Sequence, residues 1–111
     1  MGISQDEKRR NLRIKVQFES LYSGDRQEGA GVLADISHSG ALVEGASLQP
    51  KVGSKLRLYV FLQPVSPFEL AGHVVRTTPE GFAIEYNEVT PEIRALVDDM
   101  AAIVAVPDRS S

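Results

Sequence analysis

The feature that most constrains what this chain can become is alternation. In Ile14-Lys15-Val16-Gln17-Phe18-Glu19 every second residue is apolar, and a period of two marks a strand with one face buried and the other in water. Leu56, Leu58, Val60 and Leu62 repeat the pattern against Lys55, Arg57, Tyr59 and Phe61. A strand over about 32–36 would put Val32, Ala34 and Ile36 on one face and Leu33, Asp35 and Ser37 on the other. Shorter strands follow at Ala41–Glu44, Phe68–Thr77 (with Gly72 a bulge or bend point) and Phe82–Tyr86. Turn residues separate them. Ser23-Gly24-Asp25 and Gly29-Ala30-Gly31 bracket a polar connection, and Ser37-His38-Ser39-Gly40, Pro50 to Ser54, Gln63 to Pro67 and Thr78-Pro79-Glu80-Gly81 close the other segments. Six strands at this spacing predict an all-β or mainly β domain, a small barrel or sandwich.

The last element departs from this period. Ile93, Leu96, Val97, Met100 and Val104 recur at three- and four-residue intervals, which gives one apolar stripe on a helix. Thr90 suits the N-cap, Pro91 the first helical position and Glu92 the positive end of the helix dipole, so the helix is expected over about 91–105, ahead of Pro107. Its stripe must be covered, either by the barrel or by a second copy of the chain. At 111 residues the chain is one domain's worth. The expected layout is an N-terminal arm over 1–13, a barrel with its helix over 14–106, and a tail over 107–111.

Charge narrows the function. The net charge of -3 argues against unselective nucleic-acid binding, which needs a positive field. Yet five of the twelve lysines and arginines fall between Lys8 and Lys15, while acids dominate from Glu80 onward. That points to a local anion site, with a solvated basic arm as the other reading. Single-stranded nucleic acid would want exposed aromatics for stacking; there is no Trp, and the Tyr and Phe residues fall mostly at core-parity positions. The absence of cysteine removes thiolate metal sites, disulfides and a cysteine nucleophile together. His38 and His73 stand far apart, so no metal site is expected. No catalytic motif is present, and no enzyme activity is expected. The N-terminus is polar without an apolar core, and no run of residues approaches the length needed to span a bilayer. The expectation is a cytoplasmic protein that does not insert into membranes.

Two polar segments remain. Arg9-Arg10-Asn11-Leu12-Arg13 precedes the first strand, and Asp35-Ile36-Ser37-His38-Ser39-Gly40 ends the second. If these strands form an antiparallel hairpin, Arg13 comes to lie beside Asp35 and Ser37 at one rim. Such a rim fits a guanine nucleotide. Arginine can grip guanine O6 and N7, phosphate, or a base face. An aspartate accepts from the guanine N1–H and N2 amino groups, a serine hydroxyl serves either role, and a glycine permits close approach. In an extended chain Arg9 and Arg13 stand about 13 Å apart, so the arm has to curl around its ligand and become ordered on binding.

The order Arg-x-x-x-Arg and then Asp-x-Ser-x-x-Gly resembles the PilZ domain family, bacterial receptors for the second messenger cyclic di-GMP. Arg9 and Arg13 match the first motif, and Asp35, Ser37 and Gly40 the second. Gly72 to Arg76 and Gly81 to Tyr86 look like the family's fifth and sixth strands. The resemblance implies a six-stranded antiparallel barrel with a C-terminal helix. It further implies that Arg9 and Arg13 hold guanine and phosphate groups while Asp35, Ser37 and Gly40 line a guanine edge. Lys8, Arg10 and Ser39 are secondary candidates, and Lys8 leaves open whether one ligand or a stacked pair binds. No cofactor beyond the ligand is implied. The expected partners are cyclic di-GMP and an effector protein, in a monomer or weak dimer, with motility or biofilm control as the family-level output. A PilZ-like interaction domain without nucleotide binding is the alternative.

Overall fold

The computed structural model of the protein describes residues 13–62 and 67–105. Six strands, β1 (Ile14–Gly24), β2 (Gln27–Ile36), β3 (Gly40–Glu44), β4 (Lys55–Val60), β5 (Phe68–Thr77) and β6 (Phe82–Tyr86), are followed by one helix, α1 (Pro91–Ala105). The strands close into a barrel in the order β1-β2-β3-β6-β5-β4, with β4 returning to β1, and every pairing is antiparallel. Closure leaves no long free edge, which is how a small all-β domain avoids pairing with its neighbours.

The alternation in β1 and β4 works as the sequence predicts. Ile14, Tyr22, Leu56, Leu58 and Val60 are buried and Val16 and Phe18 partly so, while Lys15, Gln17, Glu19, Lys55 and Arg57 between them face outward. Phe82 is fully enclosed and meets the Tyr22 ring edge-on, with centroids 4.9 Å apart. Edge-to-face contact sets the positive rim of one ring against the negative face of the other.

The structure corrects three sequence expectations. The expected polar connection between β1 and β2 is mostly strand, since pairing runs out to Gly24 opposite Gln27 and only Asp25 and Arg26 turn the corner. Arg26 takes the left-handed conformation, at a φ of 62°, that this tight turn requires. Gly29 is a strand residue opposite Tyr22, and a Cβ there would lie 2.5 Å from the tyrosine oxygen. It reads as a turn residue only because a bulky side chain folds across it. Second, Leu33 is fully buried together with Ile36, so the predicted faces of β2 do not hold. A bulge between Leu33 and Asp35 adds one residue against β3 and reverses the parity midway. Third, the bulge in β5 falls between Val74 and Arg76, not at Gly72, which instead faces the β6 backbone.

α1 begins as expected. The Ile93 amide donates to Thr90 Oγ1 at 3.2 Å and the Arg94 amide to the Thr90 carbonyl at 3.1 Å. Ile93, Val97 and Met100 join the barrel core, with Leu96 packed against it, and the helix lies on β1. The stripe from Ile93 to Met100 is thus covered within the chain. No helix among the described residues is long and apolar enough to cross a membrane.

Candidate ligand-binding site

The hairpin register sets the site. Ile14 pairs with Ile36 and Lys15 with Asp35, so the start of β1 and the end of β2 share one rim. Arg13, one residue before β1, donates from Nη1 to Asp35 Oδ1 at 3.1 Å across 22 positions of sequence. The guanidinium is 55% exposed and the carboxylate 13%. The aspartate is thus held in the protein surface while the arginine reaches over it.

Beyond Asp35 the chain makes a tight turn organised by Ser37, which is buried. Ser37 Oγ accepts from the amides of Ser39 (3.3 Å) and Gly40 (3.2 Å) and lies 3.2 Å from the Gly40 carbonyl as a donor. The Ser37 amide also donates to the Gly40 carbonyl, at 2.9 Å. The hydroxyl is therefore engaged in shaping the turn, as serine side chains commonly are. Gly40 has its own reason: a Cβ would stand 2.2 Å from the Ile84 carbonyl oxygen, so any side chain would push β3 off β6. Ser39 is exposed at the tip.

Tyr86 braces this turn from below. Its hydroxyl, on the last residue of β6, donates to the carbonyls of Gly40 (2.9 Å) and Ser37 (3.1 Å). Burial pushes its pKa well above the usual tyrosine range, the nearby Asp35 charge pushes the same way, and Arg13 opposes both. The hydroxyl is consequently a fixed donor. At the other side of the turn His38 Nε2 meets Asp98 Oδ1 of α1 at 3.0 Å.

Next to the turn is a cleft of about 100 Å³. Arg13, Ser39 and Gly40 form one wall, Val75 and Arg76 of β5 the other, with Ala83 and Glu85 of β6 between. Arg76 is exposed and paired with no carboxylate among the described residues. The cleft thus has an arginine on each side, and between them the small Ala83 side chain stands beside the Glu85 carboxylate. Sequence reasoning did not single out Arg76. No local signal marks it, because β5 reaches the site only through the β3-β6-β5 order of the barrel.

Of the residues expected from sequence, Arg13, Asp35, Ser37, Ser39 and Gly40 come together at this rim. Lys8, Arg9 and Arg10 lie outside the described residues, as do the rest of the arm before Arg13 and the tail. No group of three or more metal-ligating side chains occurs among the described residues.

A family model described as "PilZ domain" matches residues 7–102. No curated protein matches the chain. Among solved structures, the PilZ domain of CeSA from a cellulose-synthesizing bacterium superposes with a TM-score of 0.67 at 13% identity, over 82% of this chain and 99% of that one. The Bacillus subtilis inhibitor of motility gives 0.62 at 20% identity, over 82% of this chain and 48% of that one. An uncharacterized Legionella protein gives 0.53 at 19% identity, over 90% and 99%. At these identities the structural likeness concerns the fold.

Proposed function

Given that the chain belongs to the PilZ domain family, we propose that it is a receptor for cyclic di-GMP and that its rim and cleft form the ligand site. One observation carries the reading: Arg13 sits on Asp35 beside a cleft whose opposite wall carries Arg76. A cyclic dinucleotide presents two phosphates and two guanines, which call for guanidinium groups and a fixed carboxylate in one place. Arg9, four residues before Arg13 in the sequence, supplies a further arginine when the arm folds over the ligand. Ligand binding orders the arm, and the changed surface is what an effector protein reads. The activity is binding rather than catalysis, in the cytoplasm, with motility or biofilm control as the output.

Isothermal titration of the full chain with cyclic di-GMP tests this. Arg9→Ala or Arg13→Ala should weaken binding at least tenfold, since each removes a charge-assisted contact of about 1.5–3 kcal/mol. Arg76→Ala should weaken it less and flatten its salt dependence. Arg13→Ala should leave stability within about 1 kcal/mol, because an ion pair this exposed contributes little. A folded protein that gives no heat would refute the reading. It would favour a nucleotide-free interaction domain, in which Ser37 and Gly40 serve the turn alone.

A further inference from the structure

Helix α1 touches the site at two points that the binding role does not use. The first is the turn itself. His38 lies between Ser37 and Ser39, yet its imidazole is only 14% exposed and folds away from the cleft to Asp98, 60 positions later. The second is β1. Ile14, directly after Arg13, belongs to the same buried cluster as Ile93, Val97 and Met100, and α1 packs on that strand. The helix therefore supports the Arg13–Ser39 wall of the cleft at two points, behind Arg13 through the core and beside Ser39 through the His38–Asp98 hydrogen bond.

We infer that α1 is coupled to the binding turn through the His38–Asp98 contact, so that a ligand at the rim stabilises the docked helix. The inference rests on the cyclic di-GMP reading for the identity of the ligand. The turn conformation that places Ser39 and Gly40 on the cleft also sends His38 to Asp98. A ligand that holds the turn in that conformation raises the population in which the helix is pinned. By linkage, removing the pin weakens the ligand by the same factor. Asp98 is 63% exposed and its partner mostly covered, so the coupling should be modest, about two- to fivefold. The exposed face of α1, with Glu92, Arg94 and Asp99, then presents the ligand state to a partner.

Hydrogen-exchange mass spectrometry on the full chain, with and without saturating cyclic di-GMP, reads this directly. In the native chain, ligand should slow exchange across α1 by at least about twofold. Asp98→Ala should abolish that slowing and raise the calorimetric Kd about two- to fivefold. Asp99→Ala, an exposed neighbour outside the contact, should change neither. Equal slowing of α1 in the native and Asp98→Ala proteins overturns the coupling even when binding is intact. If calorimetry shows no binding, the receptor reading has failed and the coupling is judged without ligand. Asp98→Ala must then speed exchange at the Ser39 and Gly40 amides, and His38→Ala must speed it in α1. No change in either overturns the inference.

Discussion

Replacing Tyr86 by Phe isolates the support beneath the binding turn. Tyr86 is 5% exposed, so phenylalanine keeps the ring in place and removes only the oxygen. One hydroxyl proton is shared between the carbonyls of Gly40 and Ser37. Gly40 keeps the Ser37 amide and hydroxyl as donors, at 2.9 and 3.2 Å. The Ser37 carbonyl loses its one donor among the described residues. The loss is therefore one shared hydrogen bond plus partial desolvation of one carbonyl, about 1–2 kcal/mol. With a urea slope of about 1 kcal/mol per molar for a domain of this size, the midpoint should fall by about 1–2 M. The melting temperature should fall by about 4–8 °C per kcal/mol. Far-ultraviolet circular dichroism in urea measures both midpoint and slope. An unchanged slope with a midpoint within about 0.2 M of the native value would show that the hydroxyl does not brace the turn.

The same hydroxyl predicts an alkaline limb. Its pKa is raised on folding, so above pH 10, the ordinary tyrosine value, the unfolded chain releases this proton first. Stability is full below that pH and declines above it by up to about 1.4 kcal/mol per pH unit, a decline that urea titration should find reduced in Tyr86→Phe. Gly40→Ala should cost about 2 kcal/mol or more by thermal unfolding, because the added Cβ meets the Ile84 carbonyl at 2.2 Å. Leu33→Ala should cost about 2–5 kcal/mol and Val32→Ala clearly less, the reverse of what unbroken alternation from Val32 to Ile36 predicts. Equal costs, measured by chemical denaturation, would argue against the bulge in β2.

Strand identity and the helix were legible in the residues themselves. Alternation at Ile14–Glu19 and at Lys55–Leu62, the apolar stripe of Ile93, Val97 and Met100, and the Thr90-Pro91 start each specify a local conformation through nearest-neighbour chemistry. Half of the site was legible too: an antiparallel hairpin brings Arg13 to Asp35 whatever the rest of the chain does. Bulges were not legible. Whether one extra residue fits between Leu33 and Asp35 depends on what β3 places opposite, and that pairing is tertiary. Gly29 and Gly40 likewise looked like turn residues, although their missing side chains make room for Tyr22 and for the Ile84 backbone. Arg76 on the far wall and His38 on Asp98 depend on barrel closure and helix docking, which no window of sequence contains. Local periodicity and the motif residues were determined by the sequence by itself. The second wall of the cleft and its connection to α1 were decided only by the fold, because both join residues that meet through packing rather than through neighbouring positions in the chain.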